Sequence, residues 1–369
     1  DHRDLHSFPT RRSSDLREAN VQVSRIGESP WDAFEFAENL VHKICSEDFE
    51  KVCFWNVNAM IKLLSVKALH SSNVQFTEVS PGDFLYEEMD ETVEFQKLIA
   101  FSSSEYFKRI DHLVLKYAGS YPEECVGKTS VIRNGVPLPA RVKTDYRIGW
   151  TPKVVVCGRI APTKYAVEII KAMQIVHEDY PNAEVHFYGA AESYHQDYMD
   201  QVMLTAGEDV DKTIFFHGFE FDASDKLPDY DVFVVLGKHQ GCPNSLLEAL
   251  SVGMPCIANN DGGTFEQIIP WKTGFLFNGT RPADLAYFIK VAFGNEQQTK
   301  TLGINGRQHV LKNFSMKSML KGYMKVLGVK HSAFDLFLNR LTEFYNSLVS
   351  GVTSRKEQHD GIKSYSLQE

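Results

Sequence analysis

The stretch 231–263, DVFVVLGKHQGCPNSLLEALSVGMPCIANNDGG, constrains the fold more than any other part of the chain. After Asp231, Val232, Phe233, Val234, Val235 and Leu236 form a short run apolar on both faces, the pattern of a buried parallel strand. Gly237 ends it. A helix is predicted from Pro243, which suits a first turn because it has no N–H to leave unpaired, to near Gly253. Leu246, Leu247, Ala249, Leu250 and Val252 leave this helix little face for water. Yet Glu248 sits in its middle, where a carboxylate is costly unless something hydrogen-bonds it. One turn back lie Asn244 and Ser245. The amides of Asn244, Ser245 and Leu246 open the helix beside the loop Lys238–Cys242, an arrangement that accepts an anion. Two readings fit. A diphosphate could sit at the helix start with ribose hydroxyls on Glu248, or Glu248 could be a buried acid paired with a Lys or Arg from elsewhere.

The same alternation extends around it. Lys153–Cys157, Glu184–Tyr188, Thr213–His217, Asp231–Leu236 and Pro255–Asn259 are five predicted strands, with helical patterns at Val167–Tyr180 and Tyr194–Thr205 between them. Strands alternating with helices through short loops imply a doubly wound parallel sheet. Helices follow at Ala283–Phe293, Gln297–Phe314 and Met316–Leu327, then a helical stretch Ala333–Leu348 and a polar tail expected to be mobile. Earlier in the chain the pattern is α/β but incomplete. Helices are predicted at Phe34–Ile44 and Ala59–Leu69, strands at Lys51–Asn56 and Val74–Val79, and a turn at Ser80-Pro81-Gly82. Further elements follow at 94–102, 104–109, 113–116 and 130–136. Asn134-Gly135, followed by Pro137 and Pro139, is turn and linker chemistry, so a domain boundary is expected there.

Residues 1–16, DHRDLHSFPTRRSSDL, match the in-frame translation of a common short-read sequencing adapter. They are expected to be an artefact, excluded from fold reasoning, and the natural amino terminus is expected to be missing. The rest suffices for two domains, each with a core. A net charge of −9 argues against a nucleic-acid partner. No apolar run approaches the ~20 residues that span a bilayer. Cys45, Cys53, Cys125, Cys157, Cys242 and Cys256 show no paired metal spacing and read as reduced cysteines of a cytoplasmic protein.

In a doubly wound sheet, ligands bind beyond the carboxyl ends of the strands. The unusual residues of the second domain fall there. Gly158, Arg159 and Lys164 follow the first strand, Gly218 and Phe219 the third, Gln240, Gly241 and the loop to Ser245 the fourth, and Asp261 to Glu266 the fifth. Arg159 and Lys164 would flank a diphosphate at the 243 helix and stabilise a leaving phosphate. Gly262 and Gly263 would allow close backbone approach to a ligand.

On these residues the second domain resembles the donor-binding half of retaining glycosyltransferases of the GT-B fold, in particular the large family four. Gly158, Arg159 and Lys164 match that family's GR-x4-K loop, and Glu248 the second acid of its E-x7-E segment. Gly241, Asn244, Leu247, Ala249 and Gly253 fit around that acid, and Asn134-Gly135-Val136 resembles the end of the family's first domain. The resemblance is strong over 130–330 and weak over 17–130. It implies two Rossmann-like domains facing across a cleft. Residues 17–136 would be a partial acceptor-side domain, 137–330 the nucleotide-sugar donor domain, and 331–369 a terminal helix and tail. It also implies that Arg159 and Lys164 neutralise the diphosphate, Glu248 holds the ribose, and position 240 contacts the donor sugar. No metal or other cofactor is implied. The sequence departs from the family in three places. Gln240 stands where the first acid is expected, Glu78-Val79-Ser80-Pro81-Gly82 stands where many relatives carry a His, and the expected Gly-rich loop is absent.

Asp229-Tyr230-Asp231 imitates a metal-binding DxD motif, but it precedes a strand rather than ending one and reads as structural. His217, His239 and the tryptophans Trp31, Trp55, Trp150 and Trp271 read as structural too. The resulting expectation is a retaining, metal-independent hexosyltransferase moving a sugar from a UDP- or GDP-sugar to a glycan or lipid-linked acceptor. It would be cytoplasmic, with a peripheral contact at the inner membrane through its first domain. The rivals are a nucleotide-sugar epimerase on the same fold, a phosphorylase (which would need a pyridoxal-phosphate lysine), and a nucleotide-sugar-binding protein that has lost catalysis through Gln240.

Overall fold

Every strand of the first sheet pairs parallel to its neighbour. A computed structural model describes residues 32–328, apart from 81, 83, 192–194, 221 and 222. The expectations for residues 1–16, Trp31, Pro81, Tyr194 and the stretch from Ala333 onward lie outside the described residues. Strands β1 (Lys51–Trp55), β2 (Gln75–Ser80), β3 (His112–Leu115) and β4 (Thr129–Val131) lie in the order β1-β2-β3-β4. Helices Ala33–Ser46, Ala59–Ala68 and Ser103–Arg109 connect and cover them. Their starts are set by local chemistry. Asp32 and Asn58 accept from backbone amides of the first turn, and Ser102 with Glu105 closes a capping box. Leu63, Val66, Phe76, Tyr106 and Leu113 are fully buried in this core.

The second sheet has six parallel strands: β5 (Lys153–Cys157), β6 (Glu184–Tyr188), β7 (Ile214–Gly218), β8 (Val232–Val235), β9 (Cys256–Asn259) and β10 (Phe275–Phe277). Their order is β10-β9-β8-β5-β6-β7. The chain therefore starts in the middle at β5, winds outward through β6 and β7, then returns to β8 on β5's other side. That reversal between β5 and β8 is a topological switch point, where the two flanking loops diverge and leave a crevice. The sixth strand, absent from the sequence expectation, is only three residues long, too short a run to separate from a turn.

Both faces of this sheet are covered. The helix Ala166–Val176 buries Val167, Ile169, Ile170, Met173 and Val176 with Leu285 and Ile289 of the helix Pro282–Gly294. This spacing puts one continuous stripe on the sheet. On the other face Leu246, Leu247 and Leu250 of the helix Asn244–Ser251 pack with Phe233 and Val310. The predicted linker is more engaged than its turn chemistry suggested. The Val136 amide donates to Phe314 O at 2.8 Å, and a Cβ on Gly135 would stand 2.5 Å from Met316 Cα. The start of the helix Met316–Leu327 thus packs on the strand-to-linker corner of the first sheet, which ends β4 at Val131 rather than Val136.

Candidate functional site

The loop after β5 is fixed at both ends. The Gly158 amide donates to Tyr188 O at 2.9 Å, and a Cβ on Gly189 would stand only 1.9 Å from Gly158 O. Further on, Pro162–Lys164 forms one 3-10 turn, Tyr165 takes a left-handed φ of 56°, and the helix Ala166–Val176 departs. The Lys238 amide donates to Thr163 O at 3.0 Å, tying this loop to the one after β8 across the switch point. Lys164 is left half-buried, its Nζ donating to Gln240 Oε1 at 3.3 Å. Burial, then the charge of the exposed Arg159, hold the Lys164 ammonium down at about 8, with Asp261 pulling the other way.

Gln240 is 4% exposed and held by its backbone. Its amide donates to Asp261 Oδ1 at 2.8 Å and its carbonyl accepts from Gly263 N at 2.7 Å. Among the described residues its side-chain Nε2 is buried without a partner, at a cost of about 1–3 kcal/mol that a ligand oxygen would remove. Gly262 and Gly263 are where the sequence placed them, but what closes on them is this loop. A Cβ on Gly262 would stand 1.7 Å from Gln240 O, and one on Gly263 would stand 1.8 Å from Gly241 O.

Pro243 caps the helix Asn244–Ser251 with its backbone alone and supplies no side-chain cap. Among the described residues nothing accepts from the amides of Asn244, Ser245 and Leu246, so three donors and the positive end of the helix dipole face outward. Asn134 braces this corner, its Nδ2 donating to Cys242 O at 2.7 Å and to Asn244 Oδ1 at 2.9 Å. One turn on, the Glu248 carboxylate has neither a hydrogen bond nor a cation among the described residues. Burial alone raises it to about 7. Of the two sequence readings, the buried ion pair is therefore not what the structure holds. The field of Glu248 reaches Cys157, the last residue of β5, whose thiol is pushed up first by burial and then by this charge. Glu248 thus shares the carboxyl edge from which Arg159 and Lys164 emerge.

Other candidates lie apart. Phe219 is exposed just past β7, two strands from β5 and so roughly 10 Å along the edge. His239, in a left-handed φ of 59°, places its Nε2 3.1 Å from Glu87 Oε2 of the first lobe. His217 bonds His186 at 2.9 Å and stacks on Tyr188. The imitation DxD carboxylates are engaged structurally: Asp229 by the Arg141 fork and Asp231 by the Lys153 amide at 2.7 Å. In the Glu78–Gly82 segment, Glu78 is a core residue that accepts from Tyr106 OH at 2.5 Å and pairs with the buried Lys62 at 3.3 Å. Burial raises its carboxyl. Ser80, at the end of β2, turns onto Gly82.

Three residues of the first lobe face this edge that the sequence reading passed over. Arg133 forks onto Glu266 at 2.6 and 2.9 Å, and the Ala118 amide adds a third donor to Glu266 at 3.0 Å. Lys116, buried at the end of β3, lies 4.2 Å over the Trp55 ring and within Coulombic reach of Cys242. Burial lowers its ammonium to about 8. Its one sequence signal was its position, immediately after an apolar run at the carboxyl edge of a sheet.

Comparison with known proteins fits this geometry. The family model of glycosyl transferases group 1 matches residues 147–309. A GDP-mannose-dependent alpha-(1-6)-phosphatidylinositol monomannoside mannosyltransferase of Mycolicibacterium smegmatis is 22% identical over 48% of this chain and 48% of its own length. The capsular polysaccharide biosynthesis glycosyltransferase CapM of Staphylococcus aureus is 26% identical over 46% of this chain and 45% of its own. In these alignments the chain spans about half the length of the curated relative. Among solved structures, Anabaena HepE in complex with UDP and glucose superposes with a TM-score of 0.66 at 16% identity, over 86% of this chain and 89% of that one. Staphylococcus aureus TarM, solved with UDP, fondaparinux and alpha-GlcNAc-glycerol, gives 0.64 at 18% identity, over 79% of this chain and 58% of that one. At such identities the likeness is one of fold. Residues 147–309, which hold the switch-point site, match the family model of glycosyl transferases group 1, and the chain around them has the GT-B fold.

Proposed function

We propose that this chain is a retaining, metal-independent glycosyltransferase that moves a hexose from a UDP- or GDP-sugar to a glycan or lipid-linked acceptor. One observation carries the reading. At the switch point of the second sheet, Lys164 and Arg159, the uncapped start of the helix Asn244–Ser251 and the unpartnered carboxylate of Glu248 share one edge. Two cations and three amides suit a diphosphate, and an unpaired carboxylate suits a ribose diol. Breaking the bond from sugar to diphosphate develops negative charge on the leaving oxygen, and fixed donors stabilise it where it forms. Gln240, touching Lys164, would face the sugar, its orphaned Nε2 donating to a hydroxyl. That relatives are GDP-mannose-dependent or act in capsule synthesis, and that HepE was solved with UDP, supports a nucleotide-sugar donor and a glycan or lipid-linked acceptor. A cytoplasmic location with peripheral membrane contact goes with it. The described cysteines are unpaired, and among the described residues no helix is long and apolar enough to cross a membrane.

The test is product analysis. UDP- and GDP-sugars are incubated with glycan acceptors in EDTA, and the new linkage is read by proton NMR. Retained anomeric configuration with EDTA-resistant turnover is expected. An inverted linkage, or turnover that EDTA abolishes, contradicts the mechanism. Gln240 favours one rival, a binding protein without catalysis, because it removes a charge beside the reacting centre. That rival predicts nucleotide binding with no product, even after Gln240→Glu.

A further inference from the structure

The first lobe carries a cavity of about 350 Å³ that the donor site does not use. It opens at the carboxyl edge of the first sheet, between the helix Phe84–Glu91 after β2 and the loop after β3. Both elements also touch the donor loops. Gly82, just before that helix, abuts Gly241, and Tyr117, three residues before Ser120 in the cavity wall, packs edge-on to Phe265 at 6.3 Å. Three residues span at most about 10 Å, so the cavity wall and the residue that meets the donor loop at Phe265 belong to one short stretch of the first lobe.

Its walls combine two chemistries. Tyr86, Phe107 and Tyr121 supply aromatic surface, with Tyr121 43% exposed and so able to receive a ligand face. Asp90 and Glu124 supply carboxylates. The Ser104 hydroxyl donates to Glu124 Oε1 at 2.6 Å and holds that carboxyl below its ordinary value. An ionised carboxylate only accepts hydrogen bonds, so it selects a partner rich in hydroxyl donors. No Lys or Arg is among the described residues of the wall, although Lys108 and Lys128 act on Glu124 from outside it. An anionic group would therefore meet two like charges with no direct counter-ion. A sugar ring satisfies both walls, its C–H face on an aromatic ring and its hydroxyls on the acids. The volume is at the small end of the roughly 300–1,000 Å³ of small-molecule sites, room for one or two rings.

We infer that this cavity is a subsite for an uncharged saccharide unit of the acceptor, so that the acceptor is a neutral glycan at that position rather than a phosphorylated or uronic one. The inference rests on the glycosyltransferase reading, and the experiment separates the two. Saturation-transfer NMR without nucleotide would use methyl α-glucoside, methyl α-mannoside, N-acetylglucosamine and maltose, with glucuronate and inositol 1-phosphate as anionic probes. At least one neutral probe should bind more tightly than both anions. Tyr121→Ala, on an exposed loop, and the conservative Glu124→Gln should each weaken it about fivefold or more, the loss of one aromatic or one charged contact. The melting-point rise given by UDP or GDP should be the same in both variants as in the unaltered chain. The subsite is overturned if no neutral probe binds, if an anion binds as well as the best neutral one, or if both variants bind like the parent. An unaltered chain that gives no melting-point rise with UDP or GDP yet binds a neutral probe would instead overturn the transferase reading, leaving a neutral-saccharide site without the acceptor role.

Discussion

Two side chains at the switch point keep charges that their surroundings disfavour. Burial raises Glu248 from 4.5 to about 7, with no cation among the described residues to offset it. Below about pH 4.5 the acid is protonated in folded and unfolded chains alike, and burial costs nothing. As pH rises through 4.5 to 7, the folded chain must hold the proton or bury a charge, so stability is lost across that window. Glu248→Gln should therefore equal the parent at pH 4 and exceed it at pH 8 by roughly 1–3 kcal/mol. Urea unfolding at the two pH values measures this, and a pH-independent difference would contradict it. Lys164 is the mirror case. Its ammonium, lowered from 10.5 to about 8, is disfavoured in the folded chain at neutral pH, a cost that disappears as pH rises through 8 to 10.5. A diphosphate would stabilise the charged form, so nucleotide affinity should fall as pH rises past about 8. Gln240→Glu would place a carboxylate where the neutral amide stands 3.3 Å from Nζ. It should move that decline to higher pH while weakening binding severalfold at pH 7, because the new acid competes with the diphosphate. Calorimetric titration across pH 6–10 reads both effects, and an unmoved decline would separate Lys164 from it.

At the scale of elements, the site depends on two loops packed backbone to backbone. Gly262 has a left-handed φ of 53° and no room for a Cβ beside Gln240 O. Gly262→Ala should cost on the order of 2 kcal/mol or more and displace Gln240 from Lys164. Gly127→Ala, at φ 81° with nothing within 4 Å, isolates the conformational part, about 1 kcal/mol. If both variants melted alike, the packing of these loops would not matter. The elements differ in how far the sequence revealed them. β5, β6, β8 and β9 are apolar runs of four or five residues, and their positions were legible to within a residue. So were Lys164, Gln240 and Glu248 on one edge, because parallel strand order forces their loops together. β10 escaped because Phe275–Phe277 is too short to carry a period. Gly262 and Gly263 were legible as close-approach positions, but not what approaches them, since a loop-to-loop contact leaves no local pattern. Arg133 was not legible, because it acts through Glu266 of the other lobe, more than 120 residues away in sequence, and Lys116 left only the signal of its position after an apolar run.

Across the whole molecule, the clasp of Arg133 and the Ala118 amide on Glu266 joins the two sheets. Glu266 is nearly buried in it while Arg133 is 40% exposed, so solvent screens part of the pair. Arg133→Ala should cost about 1–2 kcal/mol and make urea unfolding less cooperative, with the sheets melting in separable steps. A single transition with unchanged slope would show that the sheets are coupled elsewhere. The larger claim is that the cations, the helix start and the carboxylate at the switch point together grip a nucleoside diphosphate. Calorimetric titration of UDP and GDP into the protein at pH 7, repeated with Lys164→Ala and Glu248→Ala after each is shown to be folded, tests it most directly. The account predicts one-site binding of at least one of the two nucleotides, reduced about tenfold or more by each substitution, as loss of a charged contact requires. Equal affinity in the parent and both variants, or no binding of either nucleotide to the parent, would contradict it.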